Sequence, residues 1–265
     1  MQENSALGRA IEVVKDLRKR CPWDRAQTRE SLRPYLVEEV LELDAALREE
    51  DIPRIRDEMG DFLLHLAWQF VIAEENREFT PEGIASALET KMRRRHPHLY
   101  DIGPAEPWEK LKRKEGTRGI FDGIPATLPG LLTAFRLQQR AASVGFDWLD
   151  AEGPLAKVRE ELAEAEELLS ADRRTAGPAD GPDVNAPVIP KDELVDEVGD
   201  LFFAVVNLAR KLHVQPDLAL DRANRKFRER FHRVEALALE KGLEVETAGL
   251  EKLDELWEET KAGER

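Results

Sequence analysis

The chain has 265 residues, of which 42% are hydrophobic and 35% are charged, enough for one large domain or two of ordinary size. Its formal net charge of -14 argues against binding to nucleic acid polymers or to an anionic membrane surface. Cys21 is the only cysteine, so no intrachain disulfide exists, and no apolar run reaches the ~18 residues of a membrane span. We therefore expect a cytoplasmic protein with neither nucleic acid nor membrane partners.

Helical periodicity predicts an all-α fold, because no alternation of apolar and polar residues is long enough for a sheet. The predicted helices include, in chain order, a stretch around 11–17, then 35–46, 53–73, 80–95, 108–114, 131–142, 155–169, 191–212, 219–241 and 250–261. Asp51 is a candidate cap for the third of these, with Pro53 in its first turn. Gly and Pro residues predict a mostly irregular connector within 103–129 and a mobile insertion over about 175–190.

The most informative pattern is a pair of Glu-Glu-x-x-Glu clusters, each followed downstream by Glu-x-x-Asp. The first set consists of Glu38, Glu39, Glu42, Glu58 and Asp61, and the second of Glu160, Glu161, Glu164, Glu197 and Asp200. Carboxylates three or four residues apart share one face of a helix. If two such faces pack against each other, their acids repel one another unless a cation lies between them. Hard divalent cations such as Mg2+ prefer these oxygen ligands and often bind phosphate as well. One acidic face is usually solvated surface, but two with the same downstream partners predict metal sites.

Several further residues repeat together with the acids. The matching pairs are Asp24 and Asp147, Gly60-Asp61-Phe62 and Gly199-Asp200-Leu201, Lys91/Arg95 and Lys226/Arg230, and Trp108/Lys112 and Trp257/Lys261. A duplication is the simplest explanation. It predicts a first helical domain over 1–115, a connector over 116–130 and a second helical domain over 131–265, which contains the insertion.

The second unit also contains candidate substrate-binding residues. Asn207 follows Asp200 by two helical turns on the same face, where it could hydrogen-bond a ligand or a metal-bound water. The other candidates are two basic residues one turn apart, an aromatic ring for a base to stack on, and a further lysine: Lys226, Arg230, Trp257 and Lys261. Each of these residues, taken alone, has an ordinary explanation as surface or core. Together with the acids they predict metal-assisted hydrolysis of a polyphosphate, with the choice of catalytic base left open by the spacing.

The ordered motifs resemble those of the MazG family of nucleoside triphosphate pyrophosphohydrolases over nearly the whole chain. The segments that carry the resemblance are 21–24, 94–98, 144–148, 196–200 and 224–231. The resemblance implies two tandem all-α units that contribute to four-helix assemblies, usually as a homodimer. It also implies Mg2+-dependent hydrolysis of ribo- and deoxynucleoside triphosphates to the monophosphate and pyrophosphate, with broad base tolerance and with Mn2+ as a substitute metal.

The family's site residues carry over onto matching positions of this sequence. The resemblance implies that the catalytic and metal-binding acids are Glu161, Glu164, Glu197 and Asp200, and that the nucleotide contacts are Lys226, Arg230, Trp257 and Lys261. A second metal site would consist of Glu39, Glu42, Glu58 and Asp61. The first unit departs from the pattern, since Trp68 stands where the second unit has Asn207, and Met92 and His96 replace Phe227 and Phe231. We therefore expect the second unit to carry most of the activity.

Two other functions fit the same residues. One is a pyrophosphatase with narrow specificity, such as a house-cleaning enzyme for dUTP or a damaged nucleotide. The other is a non-catalytic helical scaffold that dimerises through its first unit and binds a partner protein. The insertion over 175–190 fits a tolerated surface loop better than a substrate lid.

Overall fold

The computed structural model describes residues 5–113, 119–175 and 192–263. Within these ranges the chain forms eleven α-helices and one short 3-10 helix, Pro97–Leu99, and no strand, which confirms the predicted all-α class. The α-helices are α1 (Ala6–Arg20), α2 (Pro22–Ala26), α3 (Arg29–Glu49), α4 (Ile52–Glu75), α5 (Pro81–Arg95), α6 (Trp108–Arg113), α7 (Gly130–Ala142), α8 (Glu152–Thr175), α9 (Asp192–Lys211), α10 (Pro216–Glu240) and α11 (Leu250–Ala262).

The chain divides into two compact units, Met1–Glu106 and Pro107–Arg265. The domain boundaries predicted from the sequence, at 115 and 130, stay predictions. The predicted insertion lies outside the described residues except for Thr175, which ends α8. Within the described ranges, no helix combines the length and the apolar character that crossing a bilayer requires.

Side-chain caps fix where the helices of the first unit begin. The carboxylate of Asp51 accepts a hydrogen bond from the backbone N–H of Arg54 at 3.2 Å, and Pro53 lies in the first turn of α4, as predicted. Thr80 caps α5 in the same way. Each such cap stabilises its helix by ~1 kcal/mol, because it satisfies an N–H that has no partner inside the helix.

Helix α3 begins earlier than the sequence indicated, at Arg29 and not near 35. The cause is a capping box, in which Thr28 and Ser31 each accept a hydrogen bond from the other's backbone N–H, at 3.2 and 2.9 Å. This cap starts the helix upstream of Pro34, so that Pro34 lies inside the helix. Because proline has no backbone N–H, one helical hydrogen bond is not formed there.

The first unit is built on an α3–α4 hairpin, against which α1 packs. Its core consists of Ile11, Val14, Leu32, Ala67, Trp68, Val71 and Ile72. Arg18 fastens α1 to the rest of the unit, because its guanidinium donates to the carbonyl oxygens of Asp24 and Gln27 and to the carboxylate of Glu75. The hairpin places one face of α3 opposite one face of α4, which is the arrangement that the acidic pattern requires.

The second unit repeats this plan with α8 packed against α9 and α7 against α9, while α10 packs on α11 and also touches α7 and α9. Val234, Ala238 and Leu256 form the core between α10 and α11. Helix α8 begins at Glu152, three residues before the predicted start, because the side chain of Asp150 accepts its backbone N–H at 2.9 Å. The α8–α9 pair therefore corresponds to the α3–α4 hairpin of the first unit.

Candidate metal and nucleotide site

Three carboxylates converge in the second unit. Glu161 and Glu164 come from α8 and Glu197 from α9, and each offers an oxygen atom within 4.8 Å of the others. Glu161 is 4% exposed, whereas Glu164 is open to solvent. Asp200 lies exposed one turn after Glu197 on α9 and is not a member of this group of three. The predicted spacing thus brings acids from two helices to one place.

The crowding of these acids affects their protonation. Although Glu164 is exposed, partial desolvation of its carboxylate raises its pKa. A hydrogen bond with Glu161 and the charges of Glu161 and Glu197 raise this pKa further, while the charge of Lys157 opposes the rise. Lys157 forms ion pairs with Glu161 and with Glu160, the latter at 3.0 Å, and these pairs raise the pKa of Lys157. Lys157 therefore brings a positive charge into direct contact with the group. Lys157 was not predicted from the sequence, although its position four residues before Glu161 was a visible signal.

The first unit holds an equivalent group. Glu39 from α3 and Glu58 and Asp61 from α4 offer oxygen atoms within 4.8 Å of one another, while Glu42 is exposed and is not a member. Burial raises the pKa of Glu39, and the negative charges around it, that of Asp61 first, raise it further. Arg54 pairs with Glu58 at 3.4 Å.

Both groups fit a hard divalent cation by the chemistry of their donors. Each consists of carboxylate oxygens only, the ligand type of Mg2+ and Mn2+, with no soft sulfur or imidazole nitrogen among the grouped residues. The negative charges of the neighbouring acids contribute to the raised pKa of Glu164 and of Glu39, after burial, and a cation between the acids would relieve this repulsion.

The predicted nucleotide-binding residues of α10 and α11 gather in a second place. The guanidinium of Arg230 lies over the indole of Trp257, 5.9 Å from its centroid, and the ring of Phe227 lies 5.3 Å from that indole. Lys226 is exposed, and Lys261, one turn after Trp257, pairs with Glu258 at 2.6 Å. These residues and the acids thus lie on neighbouring helix pairs of the same unit.

Asn207 is buried at 7% exposure and is held in place by a polar chain of contacts. Its side-chain oxygen accepts a hydrogen bond from Arg210 at 3.0 Å, and Arg210 donates in turn to the carboxylate of Asp147 at 3.2 Å. Burial alone would raise the pKa of Asp147, but the hydrogen bonds and charges of Arg210 and Lys211 together hold it below its usual value. The repeat identified Asp147, whereas its partner Arg210 was not predicted.

Comparison with known proteins agrees with these observations. The sequence model described as MazG nucleotide pyrophosphohydrolase domain matches residues 27–100, which contain the acids of the first unit. The chain is 39% identical to the nucleoside triphosphate pyrophosphohydrolase/pyrophosphatase MazG of Thermotoga maritima over 262 residues, 96% of this chain and 95% of that protein. It is 34% identical to the nucleoside triphosphate pyrophosphohydrolase of Escherichia coli K12 over 275 residues, 100% of this chain and 99% of that protein.

A third relative, the Bacillus subtilis protein named as uncharacterized protein YabN, is 37% identical over 265 residues, 96% of this chain and 51% of that protein. The similarity to the first two relatives extends over nearly the full length of both chains. The chain therefore belongs to the MazG family of nucleotide pyrophosphohydrolase enzymes, as its motifs predicted.

Proposed function

We propose that this enzyme hydrolyses nucleoside triphosphates to the monophosphate and pyrophosphate with a bound divalent cation, and that it does so mainly in its second unit. The observation that carries the proposal is the group formed by Glu161, Glu164 and Glu197. Full-length relatives named as nucleoside triphosphate pyrophosphohydrolases support the reaction and go against a non-catalytic scaffold.

Glu161, Glu164 and Glu197 would hold the metal, joined by Asp200 from the next turn of α9. When bound, Mg2+ or Mn2+ supplies positive charge that neutralises the triphosphate. A carboxylate of the group accepts a proton from water, whose oxygen forms a new bond to the α-phosphorus. The bond from that phosphorus to the bridging oxygen breaks, and its electron pair leaves with pyrophosphate.

The basic residues of α10 and α11 are proposed to bind the phosphates. Arg230 can donate two parallel N–H groups to phosphate oxygens, and Lys226 and Lys261 offer point charges. Trp257, which lies against the guanidinium of Arg230, restricts the directions in which that group can point. Negative charge accumulates on pyrophosphate as it departs, so these residues stabilise the transition state more than the substrate.

The aromatic residues around this site support the second unit as the main catalyst. The rings of Phe227 and Phe231 stack at 6.0 Å, and Phe227 also contacts Trp257. At the equivalent positions the first unit has Met92 and His96, where the imidazole of His96 bonds to the carbonyl oxygen of Met92 at 2.8 Å. The first unit keeps Glu39, Glu58 and Asp61, with Glu42 nearby, as a second metal site of lower activity.

We also propose that the enzyme is a homodimer that acts in the cytoplasm. Helix α5 has no buried residue within one chain, and its apolar side chains Ile84 and Leu88 are 39% and 51% exposed. Burying such a helix face against a second copy would remove this apolar surface from water. Light scattering at increasing protein concentration tests this, and a monomer throughout would contradict it.

Product identification tests the reaction. Phosphorus NMR during turnover with Mg2+ should show equal amounts of monophosphate and pyrophosphate, and reaction in 18O-water should place the label on the monophosphate. Release of orthophosphate as the first product would overturn the proposal. Glu197→Gln should lose this activity, whereas the matched control Glu193→Gln, an exposed acid one turn earlier on α9, should keep it.

Substrate range is tested separately, with a panel of ribo- and deoxynucleoside triphosphates at equal concentration. Broad base tolerance predicts values of kcat/KM that differ little between the bases. A strong preference for one nucleotide, such as dUTP or an oxidised base, would favour the narrow-specificity alternative.

A further inference from the structure

The segment 147–150, which lies between α7 and α8, is attached to the end of α9. Lys211 is the last residue of α9, and its ammonium group donates to the backbone carbonyl oxygen of Trp148 at 2.6 Å. It also donates to the carboxylate of Asp147 at 3.4 Å, and Arg210 donates to the same carboxylate at 3.2 Å. Both the backbone and a side chain of the segment are thus bound to α9.

The same segment is attached to the first turn of α8. The side chain of Asp150 caps the helix by accepting a hydrogen bond from the backbone N–H of Glu152. The indole of Trp148 packs directly on the backbone of Gly153, so closely that a Cβ atom on Gly153 would overlap the ring. The next residue, Pro154, is fully buried. Trp148 therefore joins the two helices, α9 through its carbonyl oxygen and α8 through its ring.

These contacts lie where they set the position of α8 along α9. The start of α8 lies beside the end of α9, so the two helices run antiparallel, with the acids further along the pair. Glu161 lies about 12 Å beyond Gly153 along α8. Since a helix moves as a nearly rigid rod, a shift of its first turn moves Glu161 and Glu164 past Glu197 by a similar distance. Mg2+ demands near-ideal octahedral geometry with ligands at about 2.0–2.1 Å, so a small shift weakens its binding.

The first unit fixes the corresponding pair of helices in another way. Only Glu50 and Asp51 separate α3 from α4, and this short turn sets how the helices align. In the second unit, by contrast, residues 176–191 lie between α8 and α9. The first unit also lacks the residues that attach the segment, since the positions of Gly153, Arg210 and Lys211 are taken by Ser31, Val71 and Ile72. The contacts of Trp148 thus occur in the unit whose helix pair has no short turn.

We propose that Trp148 is a positioning residue for the metal-binding acids of the second unit. By joining the start of α8 to the end of α9, it sets the register at which Glu161 and Glu164 meet Glu197. This inference rests on the proposed function, and it gives Trp148 no contact with metal or nucleotide. Loss of the contact between Trp148 and Gly153 therefore weakens metal binding in a protein that remains folded.

Calorimetric titration of the full chain with Mn2+, in the absence of nucleotide, tests this role. Every protein in the series carries Glu58→Gln, so that the acids of the first unit contribute little. Gly153→Ala displaces the indole and should weaken Mn2+ binding by about tenfold, as when groups that orient metal ligands are removed. Gly130→Ala is the matched control, because Gly130 begins α7 and an added Cβ meets nothing within 4 Å there. It should bind Mn2+ with the affinity of the parent protein.

A double-mutant cycle shows whether the indole is responsible. Trp148→Ala should weaken Mn2+ binding as Gly153→Ala does, and the two changes together should weaken it no further than Trp148→Ala alone. Circular dichroism at the temperature of the titration gives the folded fraction of each variant. A purely structural role would lower the melting temperature but leave the Mn2+ affinity of the folded protein unchanged, and this result would overturn the inference.

If Gly153→Ala does not fold, Lys211→Met removes the contact with Trp148 from the side of α9 and carries the same expectation. Unchanged Mn2+ affinity in every folded variant would overturn the inference. An enzyme that binds Mn2+ but releases no pyrophosphate from a nucleoside triphosphate would overturn the proposed function alone, because the titration still decides the role of Trp148. Failure of the parent protein to bind Mn2+ would overturn both.

Discussion

Replacing Asp147 by asparagine should weaken the contacts that connect the segment after α7 to the end of α9. The carboxylate of Asp147 pairs with Arg210 and, at 3.4 Å, with Lys211, and these three side chains are 22%, 13% and 14% exposed. Exposed ion pairs contribute ~0–1 kcal/mol, whereas breaking a buried pair costs ~3–5 kcal/mol. At this intermediate exposure, we expect Asp147→Asn to lower the unfolding free energy of the second unit by about 2 kcal/mol.

The pH dependence of this loss follows from the sign of the pKa shift. The pKa of Asp147 in the folded protein lies below its ordinary value of 3.8. The ionised form therefore stabilises the fold fully above the ordinary value, and this contribution disappears as the pH falls through the folded-state pKa. Asparagine does not titrate. The stability difference between wild type and variant should thus be constant near neutral pH and should narrow below about pH 4.

Hydrogen exchange of the α9 amides, measured by mass spectrometry, reports the stability of the second unit alone. A loss of about 2 kcal/mol corresponds to roughly 30-fold faster exchange by opening of the unit. Glu255→Gln is the control, because it breaks an ion pair between two exposed side chains, that of Glu255 (59% exposed) and that of Lys252 (48% exposed). This variant should leave the exchange rates of the α9 amides unchanged. Equal acceleration of exchange in both variants, or a stability difference between wild type and Asp147→Asn that persists in acid, would contradict a stabilising role for the ionised carboxylate of Asp147.

Saturating Mg2+ should raise the melting temperature of the wild-type protein, and EDTA should reverse this rise. Glu197→Gln should lose most of the rise in melting temperature, and an unaltered rise in this variant would contradict the metal assignment. Leu256→Ala, at a core position 1% exposed, should cost ~2–5 kcal/mol in thermal unfolding, and a smaller loss would mean that the α10–α11 core is not tightly packed. Arg230→Lys should raise KM with little change in folding, because lysine cannot bind phosphate through two parallel N–H groups; an unchanged KM would remove Arg230 from the site.

Much of the fold could be predicted from local sequence signals. Apolar spacing identified the long helices, and caps such as Asp51 and Thr80 fixed two of their starts because a cap acts within one turn. The early start of α3 was missed, because the capping box of Thr28 and Ser31 was overlooked. The capping box is also a pattern within one helical turn, so it could have been predicted from the sequence.

The candidate site was predictable only in part. Glu161 and Glu164 share a helical face by their spacing, and the duplication indicated Glu197 as their partner. Which acids meet depends on side-chain positions, and Asp200 is outside the group of three that the structure shows. The contact between Lys211 and Trp148 could not be predicted, because it joins segments that are distant in sequence and depends on how α8 packs against α9.

We propose that the second unit is the main pyrophosphohydrolase. The initial rate of pyrophosphate release from a nucleoside triphosphate, compared between Glu197→Gln and the equivalent first-unit variant Glu58→Gln, tests this directly. We predict that Glu197→Gln lowers the rate of pyrophosphate release by about 100-fold, because this variant disables a site that stabilises the transition state electrostatically. Glu58→Gln should release pyrophosphate at nearly the wild-type rate. Loss in Glu58→Gln with full activity in Glu197→Gln would contradict the claim.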